Sequence, residues 1–153
     1  MADRKNDLIY LDYNCFQRGF DDPHRIKIQL EALACEAIFQ EAERKEIKLV
    51  WSFMHEDENS LCPFLERKLE VVRLSFLCKT RIYPEQEVSD LAQSFQKKAR
   101  LSSKDAVHLA CAEVAQCAYF LTCDDELIQR AKRLNLAMKV MNPVDYVREA
   151  MMQ

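Results

Sequence analysis

The chain has 153 residues, 49% of them hydrophobic and 31% charged, with a net charge of -3. That length suits a single domain spanning 1–153 with a sizeable core, and no apolar run approaches the ~20 residues of a membrane helix. The weak negative charge leaves any nucleic-acid binding to a local patch, and a lone glycine, Gly19, excludes the glycine-rich loops that cradle nucleotides.

Leu8-Ile9-Tyr10-Leu11 is an apolar, β-rich run that reads as a central strand ending at or beside Asp12. A loop through Arg18-Gly19-Phe20-Asp21-Asp22-Pro23 leads to a helix over about 25–44, where Ile28, Leu30, Leu33, Ala34, Ala37 and Ile38 recur at helical spacing. Lys48-Leu49-Val50-Trp51-Ser52 is a second strand, and the acid-rich segment 53–60 starts a short helix. Pro63 opens a helix over about 64–76, a position where proline is well tolerated. Another helix follows Pro84 and ends near Arg100.

Ser102 or Ser103 can cap the next helix, whose small residues Ala106, Ala110 and Ala115 suit tight packing. Tyr119-Phe120-Leu121-Thr122 then reads as a buried strand ending in Asp124 and Asp125. A helix over 126–134, a strand over 137–141 and a terminal helix over 143–151 complete the chain. Strands alternating with helices predict an α/β fold with a mainly parallel sheet.

The seven cysteines form no Cys-x-x-Cys pair. Their odd number, with no secretory apolar segment at the N-terminus, argues against a disulfide framework and places the chain in the cytoplasm. Most lie in apolar runs, where free cysteine behaves as a small hydrophobe, so the spacing does not support a zinc site.

The acids are more informative. Asp12 follows the first strand, Glu58 the second and Asp124 a later one, while Asp105 stands at the mouth of the central helix. In a parallel sheet all carboxyl ends share one edge, where ligands bind. Four carboxylates gathered there would repel one another unless a cation joined them. An oxygen-only donor set suits Mg²⁺ or Mn²⁺. Each acid also has an ordinary explanation: a strand-end turn for Asp12, a solvated helix face for Glu58, a capping box with Ser102 for Asp105, an N-cap for Asp124 or Asp125. His108, on a helix of small residues, is expected to be packed and hydrogen-bonded rather than catalytic. Arg67, Lys68, Arg73, Lys97, Lys98 and Arg100 suit either a phosphate backbone or plain solvated helix faces.

Four pieces together resemble the PIN domain ribonucleases, which include the VapC-type toxins of toxin–antitoxin pairs. They are Ile9-Tyr10-Leu11-Asp12-Tyr13-Asn14, Trp51-Ser52 with Glu58-Asn59-Ser60, Ser103-Lys104-Asp105-Ala106-Val107-His108-Leu109-Ala110, and Phe120-Leu121-Thr122-Cys123-Asp124. The resemblance covers nearly the whole chain. It implies a three-layer α/β/α fold, with Asp12, Glu58, Asp105 and Asp124 as the catalytic, metal-binding set and Mg²⁺ or Mn²⁺ as cofactor. Asn14 matches a position near the metal where the family often has Ser, Thr or Asn. Glu58 is chosen over Glu56 and Asp57 by its distance from Ser52, and Asp124 over Asp125 because it stands two residues after Thr122.

The activity implied is metal-dependent endoribonucleolytic hydrolysis of RNA, with an antitoxin-like inhibitor and a second copy of the chain as partners and no membrane. The competing function is a catalytically silent PIN-like module that binds protein or RNA. A haloacid dehalogenase-type phosphatase is disfavoured, since it needs an Asp-x-Asp pair and Asn14 takes the second place.

Overall fold

The computed structural model describes residues 7–152. The N-terminal residues 1–6, read above for a leader, lie outside it. Among the described residues five strands form one sheet: β1 (Leu8–Leu11), β2 (Lys48–Ser52), β3 (Thr80–Ile82), β4 (Tyr119–Leu121) and β5 (Lys139–Met141). Their order is β3-β2-β1-β4-β5, and every neighbouring pair is parallel. The chain builds outward from β1 through β2 to β3, then crosses back to lay β4 on the other side of β1. That reversal puts the topological switch between β1 and β4, where a crevice opens beyond the strand ends.

Helices cover both faces, as a parallel sheet requires. Side chains alternate along β1, so Tyr10 enters one core while Ile9 and Leu11 enter the other. Tyr10, Val50 and Phe120 pack with Val88, Ala92 and Phe95 of α5 (Gln86–Ala99) and Ala106, Leu109 and Ala110 of α6 (Ser103–Val114). Small residues along α6 let it lie close to the sheet. On the opposite face Ile9, Leu11, Leu49 and Trp51 pack against α1 (Tyr13–Gln17), α2 (Ile26–Glu43) and α4 (Leu65–Ser75) through Phe16, Cys35, Ile38, Val71 and Leu74. The short α3 (Phe53–Ser60) leaves β2 directly, α7 (Asp125–Ala131) follows β4, and α8 (Pro143–Tyr146) runs into a π-helical turn, Val147–Met151. No helix among the described residues is long and apolar enough to cross a membrane.

The expected elements form within a few residues of their predicted ends. Three were not foreseen, the first a single 3₁₀ turn, Arg18–Phe20, in the segment read as loop. β3 is a three-residue edge strand with exposed Arg81 at its centre, too short to show a period. α1 turns immediately after Asp12 and spans five residues, shorter than any helical repeat reveals. The outer strands carry basic residues laid over aromatic rings: Arg81 stands 5.9 Å from the Trp51 ring, and Lys139 6.0 Å from that of Tyr119.

Three helix ends rest on residues with positive φ: Lys45 (62°), Arg100 (55°) and Gln116 (60°). The left-handed position after a helix usually falls to glycine, and the chain's single glycine lies elsewhere.

Candidate active site

A cavity of about 270 Å³ opens at the carboxyl ends of β1 and β4, lined by Asp12, Asn14, Glu58, Asp105 and Asp124 among others. The strand ends deliver Asp12 and Asp124. Asp124 caps α7, its Oδ1 accepting the amides of Glu126 at 3.0 Å and Leu127 at 3.2 Å. Asp105 arrives in the first turn of α6, whose N-cap Ser102 accepts the Asp105 amide at 3.1 Å. Glu58 comes from the last turn of α3.

Asp12 is buried and heavily engaged. Its carboxylate accepts the Tyr13 amide at 2.8 Å and the Thr122 hydroxyl at 2.7 Å, with the Asn14 amide at 3.3 Å. Asn14 also donates to Thr122 Oγ1 at 3.2 Å and accepts the Cys123 amide at 3.2 Å. It therefore ties the turn after β1 to the turn after β4. Burial pushes the Asp12 carboxyl above its ordinary range; His108 and the Thr122 hydroxyl oppose this, and the charges of Asp105 and Glu58 add to it. Burial likewise raises Asp105, opposed by Ser102 and reinforced by Asp124. In both, burial is the main cause and a neighbouring carboxylate a lesser one.

Glu58 is positioned from behind by a buried chain of polar side chains. Its Oε1 meets His108 Nε2, and its Oε2 faces Lys104 Nζ at 3.7 Å. His108 is fully buried, and its Nδ1 lies 2.5 Å from the Tyr10 hydroxyl, which lies 2.7 Å from Ser52 Oγ. The imidazole thus links the Glu58 carboxylate at Nε2 to the Tyr10 hydroxyl at Nδ1. Behind these, His55 donates from Nε2 to the Leu11 carbonyl at 2.6 Å and accepts the Ser52 amide at Nδ1, at 2.9 Å. Burial, and then the charge of His108, hold His55 well below its ordinary pKa. His108 is packed and hydrogen-bonded, as expected, but it also belongs to the site: one atom each of Asp12, Glu58 and His108 lie within 4.8 Å of one another.

The neighbouring acids turn elsewhere. Glu56 accepts the Trp51 indole N–H at 2.8 Å and lines a different cavity. Asp125 is exposed and pairs with Lys27 at 2.5 Å. Sequence reasoning missed Asp21, which lines the acidic cavity and pairs with Arg18 at 2.9 Å and Arg67 at 3.4 Å. Its loop carries no periodic signal that would have marked it. Of the basic residues singled out above, Arg67 therefore stands by the cavity, whereas Arg73 is paired with Glu70.

A parallel sheet whose switch point gathers carboxylates from two strand ends and two helices forms an acidic site that could hold a metal ion. The family model of the PIN domain matches residues 9–133. The chain belongs to the PIN domain family, whose members are generally metal-dependent nucleases. Among solved structures it is similar to FitAcB from Neisseria gonorrhoeae, with a TM-score of 0.58 and 15% identity over 88% of this chain and 97% of that one. It is similar too to VapBC2 from Rickettsia felis, solved bound to a DNA fragment from their promoter, with a TM-score of 0.59 and 11% identity over 88% of this chain and 98% of that one. At such identities the likeness is one of fold. No curated protein matches the sequence.

Proposed function

We propose that the chain is a single-domain, metal-dependent endoribonuclease of the cytoplasm, the toxin of a toxin–antitoxin pair. One observation carries this reading: Asp12, Glu58, Asp105 and Asp124 line a single cavity at the β1/β4 switch point. The cavity acids offer carboxylate oxygens, the donors that suit Mg²⁺ or Mn²⁺, and a cation there would offset the charge that burial disfavours on Asp12. Asp12, Asp105 and Asp124 would hold such an ion, with Glu58 as a further ligand. When bound, the ion supplies an acidified water and neutralises charge on a phosphodiester.

The chain's own residues do the rest. Thr122 and Asn14 fix the Asp12 carboxylate. His108, held by Tyr10, occupies Glu58 Oε1 and leaves Oε2 to the cavity side with Lys104. Lys104 and Arg67 flank the acids as cations for a phosphate backbone. The choice of RNA over DNA rests on the resemblance to PIN ribonucleases.

The partners follow from the same resemblance, an antitoxin-like inhibitor and a second copy of the chain. A groove between α2 and α4 with a volume of about 570 Å³, bearing exposed Phe20 and Leu33, would suit an apolar segment of the inhibitor.

The test is cleavage of mixed cellular RNA with Mg²⁺ or Mn²⁺, beside a chelated sample and Asp105→Asn. Cleavage should vanish in both controls. Without activity as readout, millimolar Mg²⁺ or Mn²⁺ should raise the melting temperature, since an ion at a hundred times its Kd adds about 2.7 kcal/mol. Asp12→Asn should lose that rise. Failure of both assays would turn the reading toward the silent binding module.

A further inference from the structure

On the face of the sheet that packs against α1 and α2, three cysteines far apart in sequence meet. Cys15 belongs to α1, Cys35 to α2, and Cys123 to the turn after β4; one sulfur from each lies within 4.8 Å of the other two. All three are buried. The absence of a Cys-x-x-Cys pair concealed this group, because its members come from three separate elements.

We propose that Cys15, Cys35 and Cys123 form a binding site for one thiophilic monovalent cation of the Cu(I) type, a site separate from the acidic cavity. The donors are sulfur alone, which selects soft ions over Mg²⁺ or Mn²⁺. A closed zinc site takes four ligands, and the group has three. Metal–sulfur bonds of about 2.3 Å place three sulfurs in a trigonal plane roughly 4 Å apart, which the observed spacing accommodates. The Arg18 guanidinium stands beside Cys123, where it also pairs with Asp21 and the buried Glu31. Cys15 and Cys35, though buried, border the groove between α2 and α4, the side from which an ion would enter. Binding displaces the thiol protons to solvent and changes no oxidation state. A bound ion would also join α1 to the turn after β4, the two segments that Asn14 already bridges.

The experiment titrates the full-length, reduced protein with Cu(I) under anaerobic conditions against a chromogenic chelator. Wild type should withdraw one equivalent, with a near-ultraviolet sulfur-to-copper absorption and an X-ray absorption signature of three sulfurs at about 2.3 Å. Cys35→Ser and Cys35→Ala should each weaken retention by at least about a hundredfold, while Cys78→Ser, which alters a buried cysteine outside the group, should retain wild-type affinity. Melting curves establish that both Cys35 variants fold; if neither does, Cys15→Ala takes their place. Retention by wild type no tighter than by these variants overturns the proposal, as does equal loss in Cys78→Ser or a spectrum with two sulfurs only. Metal-dependent RNA cleavage is not part of the readout, so the two sites stand or fall separately.

Discussion

Replacing Tyr10 with phenylalanine removes one oxygen from the fully buried chain behind Glu58 and leaves the packing of the ring in place. The ring still stacks on Phe120 at 5.2 Å between centroids and lies 4.7 Å from His55. Two hydrogen bonds disappear, one to Ser52 Oγ and one to His108 Nδ1. Ser52 Oγ keeps His55 Nδ1 at 3.1 Å, so the stranded group is His108 Nδ1. Leaving one buried polar atom without a partner costs about 1–3 kcal/mol. A loss near 2 kcal/mol lowers the melting temperature of a chain this size by roughly 4–8 °C. Urea unfolding measures it directly, with Tyr83→Phe as an exposed control. Adding Ser52→Ala should cost less than the sum of the single changes, because the two hydroxyls share one bond. A Tyr10→Phe loss below about 0.5 kcal/mol, the scatter of an ordinary surface change, would refute the idea that this chain holds His108 and, through it, Glu58.

Without divalent ions, stability should fall as pH rises through the folded-state pKa values of Asp12 and Asp105. Both are raised on folding, so the folded chain binds those protons more tightly; their contribution is full below the ordinary carboxylate range and is lost above it. Glu70, held low by Arg73, pulls the opposite way, so the measurement is the difference between wild type and Asp12→Asn across a urea–pH series, which saturating Mg²⁺ should move in favour of wild type. Asp125→Asn breaks an exposed pair with Lys27 and should cost under about 0.5 kcal/mol, whereas Asp124→Ala removes the α7 cap and should cost about 1 kcal/mol along with the metal-induced rise in melting temperature. Gln116→Gly should stabilise by about 0.5 kcal/mol, the ~1–2 kcal/mol left-handed penalty less the extra freedom of unfolded glycine, and Gln116→Ala should not; denaturant midpoints of the two variants decide it.

Much of the frame is legible in the sequence because β1, β2 and β4 are buried on both faces and read as continuous apolar runs. The acids are legible for a related reason. Each follows a strand or opens a helix, and a parallel sheet sends all such positions to one edge. Spacing from Ser52 also separates Glu58 from Glu56, which the fold turns toward Trp51. What the sequence conceals is contact between distant segments. Nothing local links Tyr10 to Ser52 and His108, or Cys15 to Cys35 and Cys123, and Asp21 sits in a loop without period. β3 escapes notice because three residues paired on one side need no apolar pattern.

The two outer strands limit how this molecule can associate. An open sheet invites another chain to add a strand by backbone pairing. Here each rim is three residues long and guarded by a cation, Arg81 on one side and Lys139 on the other, each drawn over an aromatic ring of the adjacent strand. A ribbon laid along either rim would find few amides to pair with and a charge to desolvate. Both rims of the five strands described are therefore poor templates for a sixth, which leaves the helical faces as the surfaces better suited to a partner.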